Sequence, residues 1–406
     1  MKNEIAKPFL FIHIRKTAGM SLRGLLANLF PANRVLYQAH SVSGPQTPGD
    51  ALFVTGHVDF DYAQRFTARP VIFTTVREPI SRCLSTYYYF RSNHEQFFRT
   101  LATEVIAAEY QARRRFTDLS RELDMLQFLV EEEALARTWL SNVQTRQLAG
   151  NSCAGFPDDD PRLLEIALDH LNGCDLVGIA ERLNDTLRLL GGMMNWGRLG
   201  PLQHINSTAH PRAAAIDPLC LEILRSWNTL DLILYEEACR LFELKLRAVD
   251  HKSPDDTFPD TSLLADGEKF TPDMRISGYG WHEREFHHDR WLCWNAATTA
   301  TLYLRLLNSD YTRFECLLLH VINSVALDHL RISFNLIPLS LQKRQVGKDI
   351  LVEGALPENA LAKSARVAQI TFHCPELWRP CDINPNSTDR RTMSVAIGRI
   401  RIERGA

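Results

Sequence analysis

Apolar positions change period early in this chain. Phe9 to Ile14 is an apolar run of strand length broken only by His13, after which Leu22, Leu25, Leu26 and Leu29 recur at helical spacing. The pattern predicts strand, loop and helix, with Lys16, Thr17, Gly19 and Ser21 in the loop. A second apolar run, Ala51 to Phe60, predicts a short strand ending at Gly56-His57. A third, Val71 to Val76, is β-branched and aromatic and ends at Arg77. Ile80 to Arg91 then reads as a helix carrying Leu84, Tyr87, Tyr88 and Phe90. Helices follow through Leu123, Leu126, Phe128 and Leu129, and another starts at Asp160-Pro161 and runs to His170. Asp175 to Ile179 is a late strand, and Leu219 to Leu244 the closing helical stretch.

His251 to Pro272, rich in Pro, Asp and Ser, reads as a linker. Beyond it the period changes again. Short apolar runs (Ala300–Leu307, Phe314–His320, Leu330–Phe334, Ile350–Val352, Val367–Phe372, Met393–Ile402) are punctuated by Gly, Asn, Asp and Pro, which predicts an all-β sandwich or jelly roll. The expected division is 1–250, a linker 251–272 and a β module 273–406. Truncation after about Asp250 is expected to leave a soluble domain. Trp281, Trp291 and Trp294 suit sugar stacking, but core positions are the commoner use.

Composition narrows the classes. With 45% apolar and 23% charged residues the chain is globular, and a net charge of −2 gives no general pull towards nucleic acid or anionic membrane. No apolar run has transmembrane length, and no signal-peptide core opens the chain. Nine cysteines without C-x-x-C spacing indicate neither a zinc site nor a disulfide framework, and they fit a reducing cytoplasm.

The first loop carries the clearest chemistry. Backbone N–H groups and the helix dipole meet where a strand runs into a helix, a ready site for phosphate. Lys16 adds a mobile charge, Thr17 and Ser21 hydroxyls, and Gly19 close backbone approach; the alternative is an ordinary strand–helix corner with a solvated lysine. The G-x-x-x-x-G-K-[ST] loop of ATP and GTP sites is not matched, and this disfavours a kinase. His57, just past a strand end, is placed for general-base work or for a structural role. Arg77 suits two-pronged phosphate contact, with Ser85 adding a hydroxyl, or is a surface arginine beside a capping Glu78. Arg113-Arg114-Arg115 reads as a solvated helix face more than as a binding patch for an acidic sugar chain.

Three segments together resemble a known family. Ile14-Arg15-Lys16-Thr17-Ala18-Gly19-Met20-Ser21 resembles the P-K-T-[AG]-[GS]-T-S loop of sulfotransferases that use 3′-phosphoadenosine 5′-phosphosulfate (PAPS). Arg77-Glu78-Pro79 with Arg82, Ser85 and Tyr87 to Phe90 resembles their second motif, R-[DE]-P-x-x-R-x-x-S-x-[YF]. Gly56-His57-Val58 between them is similar to the segment that supplies the base in the heparan sulfate 2-O-sulfotransferase branch. The resemblance spans about residues 7 to 245 and implies a P-loop-like α/β sulfotransferase domain with a parallel sheet flanked by helices. It implies that Arg15, Lys16, Thr17, Ala18, Gly19, Met20, Ser21 and Leu22 wrap the 5′-phosphosulfate. It also implies that Lys16 touches the bridging oxygen, that Arg77 and Ser85 grip the 3′-phosphate, and that His57 is the base. The expected donor is PAPS, its product adenosine 3′,5′-bisphosphate, with no metal. The expected acceptor is a carbohydrate, with a lipid, peptide or small metabolite as alternatives. Arg15 stands for the family's proline and Met20 for a threonine, which keeps open a catalytically weak scaffold carrying a glycan-binding module. Asn142 to Leu148 resembles a further family segment in which Arg146 lies near donor or acceptor.

Overall fold

The computed structural model describes residues 7–37, 40–41, 44–92, 107–196, 199, 215–250, 262–265, 267–308, 310–357 and 367–404. His204 to Ser207, read as a closing loop, lie outside them. The chain forms two compact units, each assembled from separate segments: Met1–Gly19, Leu36–Thr186 and Asn206–Ala248 in one, Met20–Val35, Leu187–Ile205 and Val249–Ala406 in the other. The first helix and residues 187–205 therefore group with the C-terminal module.

The fold is mixed α/β. A five-stranded parallel sheet has the order β2 (Val35–Leu36), β3 (Phe53–Gly56), β1 (Phe9–Ile12), β4 (Val71–Val76), β5 (Leu176–Ile179). Every residue of β1, β3, β4 and β5 is buried, as parallel strands covered on both faces must be. Ile12 pairs with Gly56 on one side and Thr74 on the other, and Val76 with Ile179. The carboxyl ends of these strands thus share one edge, and the winding reverses beside β1. His13, His57 and Arg77 are the first residues past three of those ends. Open α/β sheets bind ligands at such switch points.

α1 (Gly19–Asn28) follows β1, and α2 (Pro79–Ser92) follows β4. Then come α3 (Ala107–Glu122), α4 (Met125–Glu131), α5 (Glu133–Leu140), α6 (Val143–Ala149), α7 (Pro161–Gly173) and α8 (Leu183–Met194). The closing helical stretch, Leu219–Leu244, is two helices, α9 (Pro218–Ser226) and α10 (Thr229–Asp250). The break has a polar cause. Asn142, in the left-handed region, accepts from the Leu230 and Asp231 N–H groups, and Asp231 accepts in return from Gln144 N, Thr145 N and the Thr145 hydroxyl. Two helix starts cap each other, and α6 is fixed in place. Tyr87, Phe90, Phe116, Phe128, Leu140, Leu224 and Trp227 form the core shared by α2, α3, α4, α5 and α9. Among the described residues no helix is long and apolar enough to cross a membrane.

The second unit holds two mainly antiparallel sheets around one core. One is ordered Gly278–Tyr279, Thr299–Leu306, Val367–His373, Arg331–Phe334, Ile337–Pro338; the other Glu285–His287, Arg290–Trp294, Val395–Glu403, Arg313–Val321, Asp349–Ala355, Leu341–Val346. Ala300, Leu302, Leu304, Ile370 and Phe372 of the first face Phe314, Cys316, Leu318, Val352 and Ile400 of the second in a single cluster. The last strand changes which parity it buries, from Val395 and Ile397 to Ile400 and Ile402. The ladder skips Gly398 at that point, where a Cβ would come 2.4 Å from Leu319. This is a bulge that only glycine fits.

Two readings of this region change. Part of the supposed linker is built into the sheets: Leu263–Leu264 pairs with Arg305–Leu306, and Lys269–Phe270 with Ile400–Arg401, because Leu264 and Phe270 are core residues. The module also holds α1. Arg284 donates to the carbonyls of Ala27 and Phe30 and to those of Pro272, Asp273 and Met274, while Asn28 Nδ2 donates to His282 O at 2.7 Å. The helix that begins at the phosphate-type loop therefore ends on the module, against the expectation that the chain can be cut cleanly after Asp250. Trp281 is a core residue, its Nε1–H donating to Thr301 O and its ring edge-on to Phe372.

Candidate functional site

The turn from β1 to α1 is strained. Lys16 and Ala18 have φ of 68° and 64°, a left-handed conformation that costs a residue with a Cβ about 1–2 kcal/mol. Strain of this kind persists where surrounding bonds impose it and is concentrated at functional sites. Here the bonds are specific. The single Thr17 hydroxyl proton goes to Ile14 O at 2.8 Å, Thr75 Oγ1 lies 3.0 Å from Thr17 Oγ1 and 3.1 Å from Thr17 O, and Arg77 Nη1 donates to Lys16 O at 3.2 Å. The Thr17 side chain, expected to bind the donor, instead shapes the loop. Turns of this type bring backbone N–H groups into an anion-binding concavity.

Two cations meet at this edge. The Lys16 ammonium rests 4.0 Å from the Tyr89 ring centre, and burial, aided by the charge of Arg77, lowers its pKa to about 8. Burial likewise holds Arg77 below its ordinary value, against the pull of Glu181, whose Oε1 is 3.8 Å from Arg77 Nε. Glu78 also acts on Arg77; even so, a partly buried pair of cations whose charges lower each other's affinity for protons is a centre that an anion would relieve. Gln144 fixes the backbone of Arg77 from both sides, accepting from Arg77 N at 2.9 Å and donating to Arg77 O at 2.8 Å.

His57 is oriented just as firmly. Its Nδ1 is 2.6 Å from His13 O, and a carbonyl only accepts, so Nδ1 carries the hydrogen and the neutral ring has its lone pair on Nε2. Gln147 Nε2 donates to the same carbonyl at 3.1 Å and to Val58 O at 3.2 Å. The His13 ring stacks on Phe11 and lies 4.6 Å from the His57 ring. It fits because residue 19 is glycine: a Cβ there would sit 1.9 Å from His13 Cδ2. Beside His57 opens a cleft of about 430 Å³ bordered by Asp59, Asp61, Gln64, Arg65 and Asn151.

Lys16, Arg77, the loop backbone and His57 thus share one sheet edge. Other expected participants are occupied elsewhere. The Arg15 guanidinium pairs with Glu109 at 2.9 Å and lies over Trp139. Ser85 is buried on α2, and its hydroxyl makes no hydrogen bond to Arg77 or Lys16. Arg82 is buried and donates to Trp139 O and Leu140 O, closing the end of α5. Arg146 donates to Ser141 O and Thr138 O. Four residues not expected at the site hold it: Thr75 and Gln144 bond to the backbones of Thr17 and Arg77, the His13 carbonyl accepts from the His57 ring, and Gln147 donates to that same carbonyl. Glu181 stands beside Arg77, and Glu78 also acts on it. Among the described residues no group of three or more His, Cys, Asp or Glu side chains is placed to hold a metal ion.

No protein-family model matches the chain, and no curated protein matches it.

Proposed function

We propose that this chain is a PAPS-dependent sulfotransferase with a P-loop-like α/β domain, transferring the sulfuryl group to a hydroxyl of a carbohydrate acceptor. One observation carries the reading: a strained loop and two repelling cations, Lys16 and Arg77, share the sheet edge with an imidazole whose Nε2 holds a lone pair. The donor's 5′-phosphosulfate belongs at Lys16 and the loop N–H groups of Thr17, Ala18 and Gly19, and its 3′-phosphate at Arg77. The donor supplies an activated sulfuryl group. The acceptor oxygen bonds to sulfur, the bond from sulfur to the bridging oxygen breaks, the hydroxyl proton passes to His57 Nε2, and adenosine 3′,5′-bisphosphate leaves. Lys16 and the loop N–H groups neutralise charge growing on the leaving phosphate. Anchoring at Arg77 fixes the distance between donor and acceptor. These steps use no metal.

Calorimetric titration with adenosine 3′,5′-bisphosphate, with ATP as comparison and no added metal, tests the donor site. Binding of the bisphosphate that is lost in Arg77→Ala is the expected result. Preference for ATP, or binding unaffected by Arg77→Ala, would overturn the assignment.

A further inference from the structure

We infer that the cleft beside His57 receives the acceptor, and that this acceptor is a compact, non-anionic polyhydroxy compound rather than a polyanionic chain; the inference rests on the donor site proposed above. The cleft's size of about 430 Å³ is that of a small-ligand site. Its charged wall comes from one short helix, Phe60–Arg65, and the residue that caps it. Asp59 accepts from Tyr62 N at 3.2 Å and from Asn151 N at 3.0 Å, and Asp61 accepts from Gln64 Nε2 at 3.2 Å. Arg65 lies over the Tyr62 ring. Among the described residues, the cleft that His57 lines thus carries two carboxyl groups and one guanidinium, together with the neutral Gln64, Asn151 and Ser152. Amide, hydroxyl and carboxylate groups together match the donors and acceptors of sugar hydroxyls. Within the cleft itself, a uronate or sulfate group would lie beside Asp59 and Asp61 with Arg65 the one cation among the described lining residues, so like-charge repulsion acts on it at the end away from Lys16 and Arg77.

The chain's most conspicuous basic run does not change this balance. Arg113 pairs with Glu109, Arg114 with Asp118 at 3.3 Å and Arg115 with Glu132 at 2.9 Å. Glu109, Asp118 and Glu132 offset most of the run's charge, with Glu109 shared between Arg113 and Arg15.

The test reads the His57 ring by NMR in full-length, histidine-labelled protein without donor. Neutral and amino-sugar di- and tetrasaccharides are titrated alongside heparin-derived oligosaccharides of equal length. The expected result is that the non-anionic sugars shift the His57 resonances and the heparin oligosaccharides do not. Charge reversal by Asp61→Lys is expected to raise affinity for the heparin oligosaccharides by about tenfold or more while leaving adenosine 3′,5′-bisphosphate binding unchanged. Asp61→Asn, of nearly the same shape, provides the check if the reversed variant folds poorly, with a smaller rise expected. Heparin oligosaccharides shifting His57 in the unmodified protein, or no sugar of either class doing so, would overturn the inference. Bisphosphate calorimetry on the same samples reports on the donor site separately, so the two failures are distinguishable.

Discussion

Arg77 and Arg284 are each held by backbone carbonyls, and the contrast between their surroundings separates the two units. Arg284 spends its donors on five main-chain carbonyls within its own unit, knitting a helix end to a sheet module. Arg77 gives one bond to Lys16 O, stands near Glu181 without full contact, and shares its edge with a second cation. Topology explains the difference. A parallel sheet gathers the carboxyl ends of all its strands at one edge, so strained turns and charged residues collect there. Antiparallel strands alternate direction and spread their ends over two edges. In the module the charges instead pair across surfaces, as Arg290 does with Asp349 and Arg313 with Glu353. The first unit pairs most of its charges as well, but at this one sheet edge it leaves Lys16 and Arg77 close together.

The sharpest way to break this contrast is to make the rim more stable. Lys16→Gly removes a Cβ from a left-handed position and a cation from a buried one. Thermal unfolding is expected to show a gain of about 1 kcal/mol, while sulfate transfer falls about 10²–10³-fold. Retained transfer would remove Lys16 from the chemistry, and lost stability would mean that the strained loop depends on its side chain. Arg284→Met should do the reverse. It leaves several buried carbonyls without a donor, so a loss of about 3 kcal/mol by chemical denaturation is expected. A loss below about 1 kcal/mol, the range of surface pairs, would mean that Arg284 does not cement the module to α1.

A smaller effect is expected at Gln144. Gln144→Leu keeps bulk but gives up both bonds to the Arg77 backbone, and bisphosphate affinity should fall about tenfold, the equivalent of about 1.4 kcal/mol. The acceptor dependence of transfer should stay unchanged, since Gln144 does not touch His57. An altered acceptor preference would show that α6 couples the two halves of the site.

Residues such as Gln144 mark how far the sequence could be read. The strands, the loop and the positions of Lys16, His57 and Arg77 follow from apolar periodicity and from what stands at each strand end. The groups that hold those residues do not, because they act on main-chain atoms far away in sequence. Gln147 acts on the His13 carbonyl, Asn142 on the start of α10, and Gly19 by making room for the His13 ring. Thr17 shows the same limit from the other side. Its place in the loop was legible, but the commitment of its hydroxyl to Ile14 O depends on how the turn closes. The linker was misread for a different reason. Leu264 and Phe270 are isolated apolar residues among polar ones, and only the sheets they join show that they are core.

The smallest expected effect is one of pH, and it links the charge of the rim to both stability and binding. The pKa of Lys16 is about 8 in the folded chain, well below the ordinary lysine value, so between those values the unfolded chain carries more protons than the folded one. Lys16's contribution to stability therefore rises with pH across that window. Anion binding runs the opposite way. A phosphate favours the charged ammonium, so above pH 8 the bisphosphate must draw in a proton, and its affinity should fall about fourfold between pH 7 and 8.5. Calorimetry at pH 8.5 in buffers of different ionisation enthalpy should register the proton uptake, and Lys16→Met should abolish it. A bisphosphate affinity flat across this range in the unmodified protein would mean that Lys16 and the bound phosphate do not meet, and the positive centre of the rim would rest on Arg77 alone.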